Sequence, residues 1–239
     1  MRVWIWAGAM VLAAVPDAVH ACSPALQSLH DQFGRHSRVF LGTIRDRVRE
    51  AVPGQAVYRI VVDEAFKGLP AKGQGPAELE VTVSESEQCG LGKAPKNGRI
   101  LVFMNEGDVV SQTSGSRLVW REAEQREAHL NPVMDDLFTL RRMLFPKNPE
   151  GIVPDEDAAL HQALKVLIVV FGRQEVGRQM PFRATYLADA PDPEGRVWRV
   201  EGSPDCVRRK ADPCRHGAHG VEVNRWSGDA VRMFSVGRP

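Results

Sequence analysis

The chain has 239 residues, of which 43% are hydrophobic and 26% charged, and its net charge is +1 at pH 7. The hydrophobic fraction is enough to build ordinary protein cores, in one large domain or two small ones. The near-zero net charge predicts neither a nucleic-acid-binding surface nor an acidic tail, and we expect the pair Arg141-Arg142 to be solvated surface charge.

The first 21 residues have the pattern of an export signal. Arg2 supplies a positive start, residues 3–15 form an apolar run, and Ala21 is a small residue of the kind that signal peptidase requires. The run is shorter than the roughly 20 residues that span a bilayer as a helix. We therefore expect an exported protein, periplasmic or secreted, whose mature chain begins at Cys22.

Two fates are open to an N-terminal Cys22. Acylation would anchor the protein to a membrane as a bacterial lipoprotein, but His20 is a poor fit to the small residues that usually precede a lipidated Cys. The alternative is a disulfide, which an even set of cysteines in an oxidising compartment favours. The chain has four: Cys22, Cys89, Cys206 and Cys214.

The first half of the mature chain predicts a small β barrel. Alternating apolar residues bounded by turn residues predict five strands, at 37–48, 57–66, 79–83, 99–104 and 117–121. Pro53-Gly54 should turn the first pair into a hairpin. Five short strands at this spacing are typical of an OB-type barrel, which hides its sheet edges.

A helix and a linker follow the barrel. Asn131 is a good N-cap and Pro132 fits the first helical position. Apolar residues share one face of this helix, which should pack on the barrel: Val133, Leu137, Leu140 and Leu144. Residues 145–151 then contain two Pro, an Asn and a Gly, so we divide the chain into domains at 22–147 and 148–239.

The first domain resembles the netrin-like domain of tissue inhibitors of metalloproteinases. The matching segments are Cys22-Ser23-Pro24, Phe40 to Ile44, Tyr58 to Gly68, Glu85 to Gly90 and Arg99 to Phe103. The resemblance implies an OB barrel with a disulfide between Cys22 and Cys89. It also implies protease inhibition, in which the α-amine and carbonyl of Cys22 chelate the protease's zinc and Ser23 enters its specificity pocket. Pro24 departs from the family, because it stands where a second Cys belongs.

The second half predicts a helix lying on an antiparallel sheet. Asp155 can cap a helix that continues from Ala158 to Phe171 and stops at Gly172, and a short helix follows at 174–179. Residues 166–171 are apolar on all sides, so we expect them to be buried. Four strands are predicted, at 182–188, 197–202, 220–225 and 231–236. This order is typical of an α+β layer.

The second domain resembles the NTF2-fold immunity protein family of bacteria. The matching segments are Gly151 to Asp155, Phe171-Gly172, Arg178 to Phe182, Val197 to Gly202 and Gly220 to Val236. The resemblance implies a binding fold without catalytic chemistry, linked in the family to protection against toxins. We expect a protein partner at its cavity or sheet face, with Phe182, Trp198 and Trp226 as candidate contacts.

The remaining candidate chemistry is a cluster of metal-ligand residue types, Cys206, Cys214, His216 and His219. Structural zinc sites usually place paired Cys two to four residues apart, so we favour a Cys206–Cys214 disulfide over a metal. The chain lacks the common nucleophile, metalloprotease and phosphate-loop motifs. We therefore predict a non-catalytic binding protein without a cofactor, and inhibition through Cys22 and Ser23 as the alternative.

Overall fold

A computed structural model of the protein describes residues 28–70, 78–86, 89–119, 130–144, 151–188, 196–208, 213–215 and 217–236. The predicted signal peptide and Cys22 and Ser23 lie outside these residues. The described chain is of mixed α and β class, with two antiparallel sheets of five and four strands. The coarse fold class predicted from the sequence is therefore confirmed.

Five strands form the first sheet, as predicted, in the order β3-β2-β1-β4-β5. Helix α1 (Leu29–Arg35) precedes them. The strands are β1 (Arg38–Val52), β2 (Gln55–Lys67), β3 (Glu78–Ser84), β4 (Arg99–Met104) and β5 (Arg117–Val119). The predicted hairpin joins β1 to β2, and Gly54 in its turn has φ of 80°, a conformation that favours glycine.

The first sheet is buried on both faces along residues 39–42 of β1 and residues 100–104 of β4, which explains why these two runs are almost continuously apolar. Phe40 and Ile100 belong to one core on one face of the sheet. Val39, Leu41 and Phe103 belong to a second core, which also contains residues of the second half of the chain. The first sheet therefore has its own core and shares another.

Two helices lie in the shared core, and both begin at the predicted caps. Helix α2 (Pro132–Leu144) begins after Asn131, whose Oδ1 accepts from the N–H of Val133 at 3.1 Å. Helix α3 (Glu156–Phe171) begins after Asp155, whose side chain accepts from the N–H of Ala158 at 2.9 Å. Gly172 ends α3 with φ of 81°, as predicted.

The second sheet has the four predicted strands in the order β6-β7-β8-β9. Short helix α4 (Arg173–Arg178) precedes them. The strands are β6 (Arg183–Leu187), β7 (Val197–Glu201), β8 (Ala218–Asn224) and β9 (Ala230–Val236). Helix α3 packs on one face of this sheet, where Val200, Val221 and Val223 belong to the shared core.

Buried ion pairs accompany the shared core. Arg141 of α2 is fully buried, and its guanidinium donates to Glu64 of β2 at 2.8 and 3.1 Å and to the carbonyl oxygen of Ile152 at 3.3 Å. Arg99 of β4 donates to Asp155 at 3.1 Å and to Asp157 at 3.2 Å. The expectation that Arg141 is surface charge is therefore wrong. Arg141 is four residues after Leu137 and three before Leu144, so the three side chains lie on the same, packed face of α2.

We expect Arg141→Ala to lower the free energy of unfolding by about 3 kcal/mol, because it leaves the Glu64 carboxylate without its buried partner. Arg49→Ala is the control, since its pair with Glu80 is between side chains that are 61% and 48% exposed. That control should cost less than about 1 kcal/mol. Urea denaturation of both variants measures the difference, and equal small losses would contradict the role given to Arg141.

The carboxylate of Asp155 makes stability depend on pH. Burial raises its pKa, but the charges of Arg141 and Arg99 lower it by more, so the pKa lies below its ordinary value. A group with a lowered pKa in the folded state stabilises the protein above its unfolded pKa, about 3.9 for Asp, and this stabilisation is lost as pH falls further.

Asp155→Asn should therefore lower the free energy of unfolding at neutral pH and flatten its decrease below about pH 4. Asn is as good an N-cap as Asp, so the helix cap is kept while the charge is removed. The measurement is denaturant unfolding at a series of pH values. Asp46→Asn, in an exposed pair with Lys96, should leave the curve almost unchanged; parallel curves for Asp155→Asn and the native chain would refute the prediction.

Candidate functional site

The end of helix α3 is exposed, contrary to the prediction that residues 166–171 are buried. Val169 is 85% exposed and Val170 is 54% exposed. Residues 157–161 at the start of α3 are all buried, where Arg99 of the first sheet donates to Asp157 and Phe138 of α2 lies against the ring of His161. In the second half Leu167 is buried in the shared core. The last turn, although apolar on all sides, leaves Val169 and Val170 on the surface.

A groove with a volume of about 400 Å³ opens beside these valines. We name it the α3–β9 groove. Val166, Val170 and Ala230 give it an apolar surface, fully buried Val223 also lines it, and Arg142, Lys165 and Asp229 add charges. The remaining lining residues are Gln162, Val169 and Gly228.

The turn between β8 and β9 lines part of the groove through Gly228 and Asp229. Asn224 shapes this turn, because its Oδ1 accepts from the N–H groups of Trp226 and Ser227 at 2.8 and 3.0 Å. Gly228 follows with φ of 75°, and its carbonyl oxygen accepts from Gln162 of α3 at 3.1 Å. The turn is thereby held against the helix.

The two cationic side chains that line the groove, Lys165 and Arg142, differ in whether they form an ion pair. Lys165 donates to Asp135 of α2 at 2.7 Å, and the ring of buried His161 lies 3.3 Å from the same carboxylate oxygen. Burial raises the pKa of Asp135, but Lys165 and His161 lower it by more, so its pKa lies below the ordinary value. Arg142 is exposed and makes no ion pair with the residues that the structure describes. It can therefore receive an anionic group.

Strand β9 forms the outer edge of the second sheet beside the groove. It pairs with β8, and no other described strand hydrogen-bonds to it. Val231 is 51% exposed and Met233 is 39% exposed. Met233 lies opposite Val221 in the register, and opposite residues share a face, so Met233 is on the side of the sheet that α3 covers.

Of the two residues predicted to carry protease inhibition, Cys22 and Ser23, neither lies within the described residues. Their predicted neighbour Cys89 is described and is in a disulfide. Glu85, four residues earlier, accepts from Arg47 at 2.9 and 3.0 Å and from the hydroxyl of Tyr58. Hydrogen bonds from Arg47 and Tyr58 lower the pKa of Glu85. The segment leading to Cys89 is therefore tied to the first sheet.

The predicted disulfide between Cys206 and Cys214 is confirmed. Both sulfurs are consumed by this bond, and the two residues form a small core with Ala218. His219 is buried and stacks on Phe171 at 3.9 Å, and His216 lies outside the described residues. The alternative of a metal held by these residues therefore loses its two thiolates.

The aromatic residues predicted to contact a partner are engaged within the protein. Phe182 is buried in the shared core, so the prediction is wrong for this residue. Trp198 is half-buried, and its indole N–H donates to the carbonyl oxygen of Val153 at 2.9 Å. Trp226 is half-buried below the guanidinium of Arg196, which lies 5.4 Å from its ring. The sequence analysis did not identify Val169 and Val170 as candidate contact residues, although the run 166–171 that contains them is apolar on all sides.

Comparisons with models of known protein families, with curated proteins and with solved structures found no match to this chain. Within the described part of the chain, no helix is long and apolar enough to cross a membrane. The function must therefore be inferred from the geometry of the residues themselves.

Proposed function

We propose that this protein is an exported, non-catalytic binding protein that holds a protein partner in the α3–β9 groove. The observation that carries this proposal is the exposure of Val169 and Val170 beside an apolar groove. Apolar surface in water costs roughly 25 cal/mol per Å² relative to burial. A partner that covers these valines recovers that free energy.

The arrangement of the groove supports a protein interface. Such interfaces have an apolar centre and a polar rim, and valines with Arg142, Lys165 and Asp229 supply both. The lining consists of aliphatic, glycine, amide and charged side chains, without a hydroxyl or thiol nucleophile among the described residues that form it. This composition favours binding over covalent catalysis.

The charges of the groove indicate the chemistry of the partner. Lys165 is already paired with Asp135, whereas Arg142 has no ion pair among the described residues. We infer that the partner binds through a segment whose apolar side chains contact the valines and whose acidic side chain pairs with Arg142. The NTF2-like resemblance of residues 151–239 supports a binding fold and an immunity-type role, in which the partner is a toxin.

Val170→Asp should weaken partner binding by at least about tenfold, because it places a carboxylate against apolar surface. Val52→Asp is the matched control, since Val52 is 51% exposed on β1 and lies away from the groove. To find the partner, the native chain and both variants are used to capture proteins from the source organism's envelope fraction. The partner is the protein that the native chain and Val52→Asp retain and Val170→Asp does not. Titration of that purified protein against all three chains gives the affinities.

Arg142→Glu tests the charge in the same titration, and it should weaken binding most at low salt. If every captured protein binds Val170→Asp as tightly as the native chain, the groove is not the binding site and the proposal is wrong.

A second candidate function is inhibition of a metalloproteinase by the N-terminal Cys22. The observation that favours it is the bonded Cys89, in a segment that Arg47 and Tyr58 tie to the first sheet through Glu85. In this mechanism Ser23 points into the specificity pocket of the protease.

Ser23→Arg should then abolish inhibition of a zinc protease, measured as the rate of hydrolysis of a fluorogenic peptide. Val170→Asp should leave that inhibition unchanged, because the groove takes no part in it. Equal inhibition by the Ser23→Arg variant and the native chain would exclude this mechanism.

A further inference from the structure

Two strand edges in the described part of the structure differ sharply in charge. Residues 45–52 of β1 extend past the pairing with β4, which covers residues 38–43. Five of these eight residues are charged: Arg45, Asp46, Arg47, Arg49 and Glu50. Charged side chains on an open edge oppose pairing with another chain. This edge of β1 is therefore protected.

The edge of β9 has no such protection. Only Arg232 is charged among its seven residues, 230–236. Its guanidinium donates to Glu222 of neighbouring β8 at 2.7 and 3.1 Å. The N–H and C=O groups along an open edge are a template for a further strand. Exposed Val231 and Met233 add apolar surface to the same edge.

We propose that β9 pairs antiparallel with β9 of a second copy of this chain, centred on Met233. This pairing would join the two four-stranded sheets into one sheet of eight. It goes beyond the proposed function, because the partner is the protein itself and not a toxin or other protein.

The sequence of β9 is complementary to itself in this register. Met233 lies opposite Met233, Arg232 opposite Phe234, and Val231 opposite Ser235 of the second copy. Like charges directly opposite each other would destabilise the pair of strands, and this register contains none. Arg232 already lies 5.9 Å from the ring centroid of Phe234 in its own chain, and the second copy offers it another aromatic ring.

The symmetry of this pairing decides where the grooves lie. Antiparallel strands of one sheet are related by a two-fold axis perpendicular to the sheet, and such an interface uses the same surface of both copies. The two α3 helices therefore cover the same side of the joined sheet. Both α3–β9 grooves open on that side, toward opposite ends of the paired strands, because the β9 residue that lines each groove is Ala230 and not Met233 at the axis.

The first experiment compares Val231→Lys with Val52→Lys, two substitutions of valines that are each 51% exposed on a strand edge. Sedimentation equilibrium of the purified chains without any partner measures self-association. The native chain and Val52→Lys should dimerise with the same affinity. Val231→Lys should dimerise about tenfold or more weakly, because a lysine on an open strand edge opposes pairing with another strand.

The second experiment detects the pairing directly, so that it does not depend on how well Val231→Lys folds. Met233→Cys places two thiols on the two-fold axis, where opposite Cα atoms about 4.5–5.5 Å apart can form a disulfide. Val48→Cys is the control, since Val48 is 37% exposed and Met233 is 39% exposed. Mild oxidation should convert Met233→Cys, but not Val48→Cys, into a covalent dimer on a non-reducing gel.

A native chain that stays monomeric at all concentrations would overturn the proposal. The proposal would also be overturned if Val231→Lys and Val52→Lys dimerised equally and Met233→Cys formed no disulfide. No other protein is present in either experiment. A failure of the dimer proposal would therefore not count against the proposed binding of a partner in the groove, nor the reverse. Val170→Asp should dimerise like the native chain, which distinguishes the edge of β9 from the groove.

Discussion

The buried guanidinium of Arg141 is the constraint on which the arrangement of this fold depends. A guanidinium does not lose its proton in a protein, so a fully buried one needs an anion and further acceptors around it. Glu64 of the first sheet supplies the anion, and the carbonyl oxygen of Ile152 supplies an acceptor at the start of the second half. One side chain of α2 thus joins its helix to β2, far away in sequence, and to the start of the second half of the chain.

The position of the exposed valines follows from this constraint. Arg99 holds Asp155 and Asp157 at the beginning of α3, close to where Arg141 holds Ile152. A helix of sixteen residues is about 24 Å long. Its first turn is held against the first sheet by Arg99, so its last turn lies more than about 20 Å away. Val169 and Val170 lie at that far end, where they are exposed.

Local signals in the sequence were enough for the elements, but not for their packing. Strand alternation, the caps Asn131 and Asp155 and the stop at Gly172 are properties of a few neighbouring residues, and the structure has them where predicted. Burial depends on what lies opposite. Arg141 and Arg142 are adjacent in sequence, yet one is fully buried and the other is exposed. The apolar end of α3 was misjudged for the same reason, since nothing local shows that Val169 and Val170 remain on the surface.

The exposed apolar surface is concentrated where association can relieve it. The long hairpin of β1 and β2 also exposes Val48 and Val52, but charged residues separate them along an edge that repels other strands. On the second sheet, the valines of α3 and the nearly uncharged edge of β9 adjoin one groove. A two-fold pairing at β9 places two such grooves on the same side of one joined sheet. A partner with two matching segments then binds the second groove from a high effective concentration, so weak contacts at each groove suffice for tight binding.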